Sequence, residues 1–281
     1  MFAIFLNLLA WSILPVMDGI AKHLSSDLPV IQVIWARYFF MVLMTIPVAY
    51  IFFKNQIIFP KKIKVQILRS IFLFLSTVLF FYSFSILSLP EALTLAFIHP
   101  LITTLFSSLT LKEKVGINRW IAVIIGFIGA LIVLRPGFES INLASLAALG
   151  AGVCYGFFVL TTRTVSSTDS PVVTLIFAGI IGTFIISFFV IFVWINPNFY
   201  QWILMICLAL AGTIGHLFLI ISLKYAEASK LAPLGYFEIV SNAIIGYYFF
   251  SDLPNIWVWI GLIIIIISGL YLTLKENNNK N

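Results

Sequence analysis

Charge is what this sequence has least of: Asp, Glu, Lys and Arg make up 9% of its 281 residues. Soluble chains carry about 25%, and so few charges cannot cover a surface that faces water. That excludes an ordinary soluble domain. With hydrophobic residues at 62%, the chain needs lipid as its solvent. Cysteine is scarce too, and Cys154 and Cys207 both fall inside apolar runs, so neither reads as half of a structural disulfide. There is no HExxH, no GxSxG, no phosphate-binding loop and no Cys/His metal cluster, and Asp18 is the only aspartate placed inside a span. Zinc, serine and paired-aspartate intramembrane proteolysis are thereby excluded in their usual forms, as is ATP-driven transport within this chain. The chain is not expected to be an enzyme, and no cofactor or metal is expected.

What is present is a series of long apolar runs. Charges, Pro, Asn and Gly mark off ten segments, at about 3–22, 30–53, 66–88, 90–110, 118–135, 141–162, 170–194, 200–223, 229–250 and 254–274. At about 20 residues each they use roughly 200 residues, leaving short connections and no room for a soluble domain. The run from 66 to 110 is interrupted only at Pro90 and Glu91 and reads as a tight hairpin. No Lys or Arg precedes the first apolar stretch and no convincing cleavage site follows it, so a retained first helix is expected, not a signal peptide.

The formal charge of +6 does not point to nucleic acid, because the basic residues sit in short loops between apolar runs. On the N-terminal side lie Lys54, Lys61, Lys62, Lys64, Arg69, Lys112, Lys114, Arg119, Arg163, Lys224, Lys230, Lys275 and Lys280. The other side has Lys22 and Arg135, with Arg37 inside the second span. This bias supports ten spans and puts both termini in the cytoplasm of a bacterial inner-membrane, multi-pass protein.

The sequence also resembles itself. A shift of 139 carries Glu113 to Asp252, Trp120 to Trp259 and Leu95 to Leu234. Five spans per copy is an odd number, so the two copies must be inverted. Inverted repeats are a transporter architecture with the substrate near the midplane. The expected domains are residues 1–137 and 138–281.

The segments TLKEKVGINRWIAVIIGFIGALIVL and FFSDLPNIWVWIGLIIIIISGLYL resemble the paired ends of the two EamA domains in the drug/metabolite transporter superfamily. MDGIAKHLSSDLPVIQVIWARYFF resembles the opening of the first such domain, and LAPLGYFEIVSNAIIGYYFF the late part of the second. The resemblance covers essentially the whole chain. It implies two five-helix bundles around a cavity lined by the first, third and fourth helices of each repeat. It also implies a small-molecule substrate, with members for S-adenosylmethionine or riboflavin uptake most similar; amino acids are a further option. The competing functions are a metabolite exporter and a lipid or lipid-carrier flippase.

Ionisable groups inside a bilayer must face protein or water, at roughly 2.5–3.5 kcal/mol each on insertion scales. His99 and Glu238 are equivalent under the shift of 139, each halfway along its span, and are expected on opposite walls of one cavity, binding a cation or a proton. Asp18 shares a helix face with Trp11 and Lys22; Lys22 is expected at the helix end, its ammonium reaching the interface. Arg37 is expected to find an internal partner, Asp18 first, ahead of an anionic substrate group. His216 follows Gly212 and Gly215, and is either a packing hydrogen bond or a cavity residue. Tyr82, Tyr155, Tyr236 and Asn242 complete the candidate substrate-binding set, the tyrosines with Trp11 as an aromatic wall. Small-residue stripes at Ala148, Gly152 and Gly156, and at Ala122, Gly126 and Ala130, suit close helix packing within or between subunits, a homodimer among the options. Glu113 and Asp252 end helices and are expected to be structural. Pro100 frees a backbone carbonyl and offers a hinge.

Overall fold

Lipid offers backbone groups no hydrogen-bond partner, so each apolar run satisfies its own as a helix. In the computed structural model, which describes residues 1–53, 59–87, 89–134, 142–241 and 256–278, no strand occurs among the described residues. The helices are α1 (Phe2–Leu24), α2 (Val30–Phe53), α3 (Ile63–Ile86), α4 (Leu89–Ala96), α5 (His99–Thr110), α6 (Ile117–Leu134), α7 (Leu143–Ser166), α8 (Pro171–Val190) and α9 (Phe199–Tyr225). A short α10 (Ala228–Leu231) leads into a 3₁₀ turn (Ala232–Tyr236), a helical stretch over 237–241 and finally α11 (Ile256–Asn278).

Seven described stretches are long and apolar enough to cross a membrane: α1, α2, α3, the α4–α5 unit, α7, α8 and α9. α6 and α11 are apolar over shorter stretches. The later part of the expected ninth span, from Asn242 on, lies outside the described residues, as do Asp252, Lys54 and Arg135. Helix ends otherwise fall within a few residues of the expected spans. The ends are set by local chemistry: Asn198 and Gln201 form a capping box that opens α9, and Asn142 caps α7.

α8 is apolar on all sides, and Ile180, Phe184 and Phe188 stand exposed on it, as do Ile263, Ile267 and Leu270 on α11. Such a belt would aggregate in water and is the natural surface in lipid. Inside, α1 packs on α9, α3 on α7, α2 on α8 and α6 on α11. Buried polar contacts join these pairs. Gln32 donates to the Ile195 carbonyl at 2.7 Å and accepts from the Ile195 amide at 3.0 Å. Asn7 donates to Ser222 at 3.1 Å. Arg69 is fully buried and no loop charge: it donates to Thr162 (2.7 Å) and to the Thr174 carbonyl (3.1 Å), over the Phe158 ring.

The fourth span is not one helix. α4 stops at Ala96, residues 97–98 turn, and α5 restarts at His99 with Pro100 in its first turn, where the missing N–H is not needed. The turn fits against α7 because that helix has glycine there. A Cβ at Gly152 would collide with the Ala96 carbonyl, and one at Gly156 would stand 2.7 Å from Ile102 Cγ2. The chain is interrupted again after α10, by the 3₁₀ turn around Pro233, and Glu238 follows that turn.

Candidate functional site

Between the two interrupted segments lies a buried cavity of about 70 Å³. Six of the candidate residues line it: Trp11 and Asp18 on α1, His99 at the start of α5, Tyr155 on α7, His216 on α9, and Glu238. Arg37, Ser76, Thr77 and Met17 also line it. Tyr82 points outward, 37% exposed, and is not part of the lining. Tyr236 is buried one layer behind, its ring 5.8 Å from that of Phe97. Asn242 lies outside the described residues.

The aromatic wall is a continuous set of ring contacts. His99 stacks on Trp11 with centroids 5.4 Å apart and planes 20° apart, and Tyr155 meets His99 edge-on at 5.1 Å. Trp11 is held from behind, its Nε1–H donating to Asn7 at 2.9 Å. His99 and Glu238 share the cavity, and Glu238 interacts there with Asp18. Both acids are deeply buried (4% and 7% exposed).

Opposite sign is supplied by Arg37, 3% exposed. It donates through Nη1 to Thr77 at 2.8 Å, and its guanidinium lies over Tyr38 and Phe81. Nη2 reaches His216 Nε2 at 3.5 Å. The other ring nitrogen, Nδ1, contacts the Gly212 carbonyl at 2.8 Å. A carbonyl only accepts, so Nδ1 carries the proton and Nε2 faces Arg37 as an acceptor. No direct ion pair between Arg37 and Asp18 is among the contacts of the described residues. The expected partnership is instead an interaction across the cavity. Asp18 Oδ1, Arg37 Nε, His99 Nε2 and Tyr155 Oη have no hydrogen-bond partner among the described residues. Unmet polar atoms on that scale are rare in a finished core and common where a ligand completes the set.

Lys22 lies at the end of α1, where it donates to the Phe84 and Leu87 carbonyls instead of entering the cavity. Far from the cavity, Glu113 accepts from the Ala228 and Ser229 amides (2.9 and 3.0 Å) and the Ser229 hydroxyl (2.7 Å). Arg119 bridges Ser229 and Glu227, and Arg163 stands 3.7 Å from Glu113. Lys112, at φ 56°, turns the chain so that Glu113 reaches α10.

A bundle of apolar helices around a buried, charged and aromatic cavity, entered by broken helices, defines a membrane transporter. The chain belongs to the EamA-like transporter family, whose model matches residues 1–135 and 142–274. It is 24% identical over 280 residues to an S-adenosylmethionine uptake transporter of Rickettsia prowazekii, covering 98% of this chain and 95% of that one. It is 30% identical over 187 residues to a riboflavin transporter of Vibrio cholerae, covering 66% and 63%. A solved crystal structure superposes with a TM-score of 0.82 over 99% of this chain and 98% of the other, at 16% identity, which shows the shared fold.

Proposed function

We propose that the chain is a secondary transporter of a bacterial inner membrane that takes up S-adenosylmethionine by alternating access. The observation that carries the substrate is the carboxyl pair Asp18 and Glu238 beside the stacked rings of Trp11 and His99. S-adenosylmethionine combines a planar purine with a sulfonium cation and an amino-acid head. Aromatic faces suit the ring, and buried carboxyls suit a cation. Riboflavin, an uncharged ring system, gives two buried acids no role. The relatives named for S-adenosylmethionine uptake support the same choice.

The architecture we propose is ten helices in two inverted repeats, residues 1–137 and 138–281, with both termini in the cytoplasm. Helix pairing supports it. Under the exchange of halves, α1 on α9 maps onto α7 on α3, while α2 on α8 and α6 on α11 map onto themselves. The matching interruptions before His99 and Glu238 support it too. At about 70 Å³ the cavity is far smaller than the about 300–1,000 Å³ of typical ligand sites. Substrate entry therefore requires the bundles to part, with the breaks at 97–98 and 232–236 as the hinges.

Coupling follows from charge balance. With one proton shared by the two acids, the carboxyl pair and Arg37 sum to zero, and a ligand with one net positive charge restores neutrality by displacing that proton. Uptake of labelled S-adenosylmethionine into proteoliposomes, with and without an imposed proton gradient, tests the proposal. Saturable uptake that responds to the gradient is expected. No uptake, with efflux of a different metabolite, would replace this reading with an exporter.

A further inference from the structure

Two of the unmet atoms in the cavity carry opposite charge. Arg37 Nε and Asp18 Oδ1 are both buried and have no partner among the described residues, and both side chains belong to the cavity lining. The guanidinium is held from its far side, Nη1 by Thr77 and the rings of Tyr38 and Phe81 packed against it. That leaves the edge formed by Nε and Nη2 with only the long 3.5 Å contact to His216 upon it. This edge is one of the two on which a guanidinium takes a carboxylate with paired N–H donors. Asp18 interacts with Glu238, and its Oδ1 has no donor among the described residues.

An orphaned guanidinium edge and an orphaned carboxylate oxygen in one small cavity have a common solution. From them we infer that Arg37 and Asp18 read a zwitterionic α-amino-acid head group, Arg37 taking the carboxylate and Asp18 the ammonium. The inference rests on the reading of this cavity as the substrate site, and it makes the head group, not the ring, the part that is recognised by charge. A head group with no net charge enters an Arg37–carboxyl cavity of no net charge, so the arrangement admits it without burying an excess of either sign. Trp11, His99 and Tyr155 are left for whatever the head group carries. A site built to hydrogen-bond a substrate group rejects an analogue lacking it far more strongly than an apolar pocket rejects a missing methylene.

The test compares ligands that differ only at the head group. Full-length protein in proteoliposomes takes up labelled S-adenosylmethionine in competition with unlabelled S-adenosylmethionine, its decarboxylated analogue and its deaminated analogue. Wild type is expected to bind each analogue at least about 100-fold more weakly. Arg37→Gln should lose the discrimination against the decarboxylated analogue and keep that against the deaminated one; Asp18→Asn should do the reverse. Equal competition by the decarboxylated analogue in wild type overturns the inference without any variant having to fold. If S-adenosylmethionine is not carried at all, the substrate proposal falls by itself. The head-group inference is then decided by thermal stabilisation of the purified protein with methionine and phenylalanine against their decarboxylated amines. Stabilisation by the amino acids alone upholds it, and equal or absent stabilisation overturns it.

Discussion

Asp18 and Glu238 are 220 positions apart in the chain and interact inside one cavity. One belongs to the first helix, the other to the interrupted segment late in the second half. The contact exists because α1 packs against α9 and against the 3₁₀ turn that precedes Glu238.

That relationship gives the first prediction. Binding of S-adenosylmethionine to the purified protein in weak buffer should release close to one proton per site, read with a pH indicator. S-adenosylhomocysteine has the same head group and no sulfonium charge, and should release none. Glu238→Gln keeps a donor for Asp18 but leaves no proton to displace, so the release should vanish. Its apparent affinity for the cation should fall by about 10- to 100-fold, the loss of one hydrogen bond to a charged group. Proton release from Glu238→Gln equal to wild type would remove the carboxyl pair from the coupling.

The glycines of α7 give the second. At Gly152 an added methyl meets the Ala96 backbone carbonyl, which cannot move without moving the break between α4 and α5. At Gly156 it meets Ile102 at Cγ2 and Cβ, 2.7 and 2.9 Å away, and the nearest backbone atom, the His99 carbonyl oxygen, stands farther off at 3.3 Å. Gly152→Ala should therefore lower thermal stability in detergent more than Gly156→Ala. Overpacking of this kind costs about 1–3 kcal/mol. Melting curves followed by tryptophan fluorescence rank the two, and the reverse order would mean that the break does not rest on Gly152.

Much of this organisation was legible in the chain, and the parts that were not share a cause. Hydropathy locates helices because it is a local signal, and the ionisable residues Asp18, His99, His216 and Glu238 that it places inside spans all belong to the cavity lining. Pro100 announces the first break, while Pro233 in the second went unread because Gly235 and Tyr236 blend into an apolar run. The Asp18–Glu238 contact depends on which helices pack, and no local pattern encodes that. Arg69, near the start of the expected third span, sorts with the loop charges, yet it lies on the face of α3 that is turned inward and is fully buried. Tyr82 shows the finest limit. Its helix was placed, but one residue is a turn of 100° around the axis, and Tyr82 faces out while Phe81 is fully buried.

The polar contacts around Glu113 predict how the molecule opens. Glu113 holds the start of α10 by three hydrogen bonds, and Arg119 and Arg163 tie the same region to α6 and α7. Glu113→Ala releases all three without touching the cavity. Ligand affinity should stay within about twofold. Ser229→Cys, made in a background with Cys154 and Cys207 replaced by serine, should react several-fold faster with a soluble maleimide when Glu113 is also replaced. Unchanged labelling would mean that the contact is a helix cap only and not a latch on this face.

Sidedness gives the last prediction, and it bears on the inverted repeat itself. If the halves are inverted and the termini cytoplasmic, the α1–α2 turn with Ser26 and the α8–α9 turn with Asn196 lie outside the inner membrane. The α7–α8 turn with Thr168 and the α5–α6 turn with Lys114 then lie inside. Single cysteines at these four positions, labelled in spheroplasts with a membrane-impermeant reagent, sort them directly. Ser26→Cys and Asn196→Cys should label in intact spheroplasts, and Thr168→Cys and Lys114→Cys only after lysis. The inside positions sit among Lys61, Lys62, Arg163 and Lys224, so the loop charges and the labelling must agree if the positive-inside bias sets the orientation. Ser26 and Thr168 on the same side would break the inversion, since they close the equivalent first turns of the two halves. The pseudo-two-fold relation that makes His99 and Glu238 equivalent would then have no basis in the membrane.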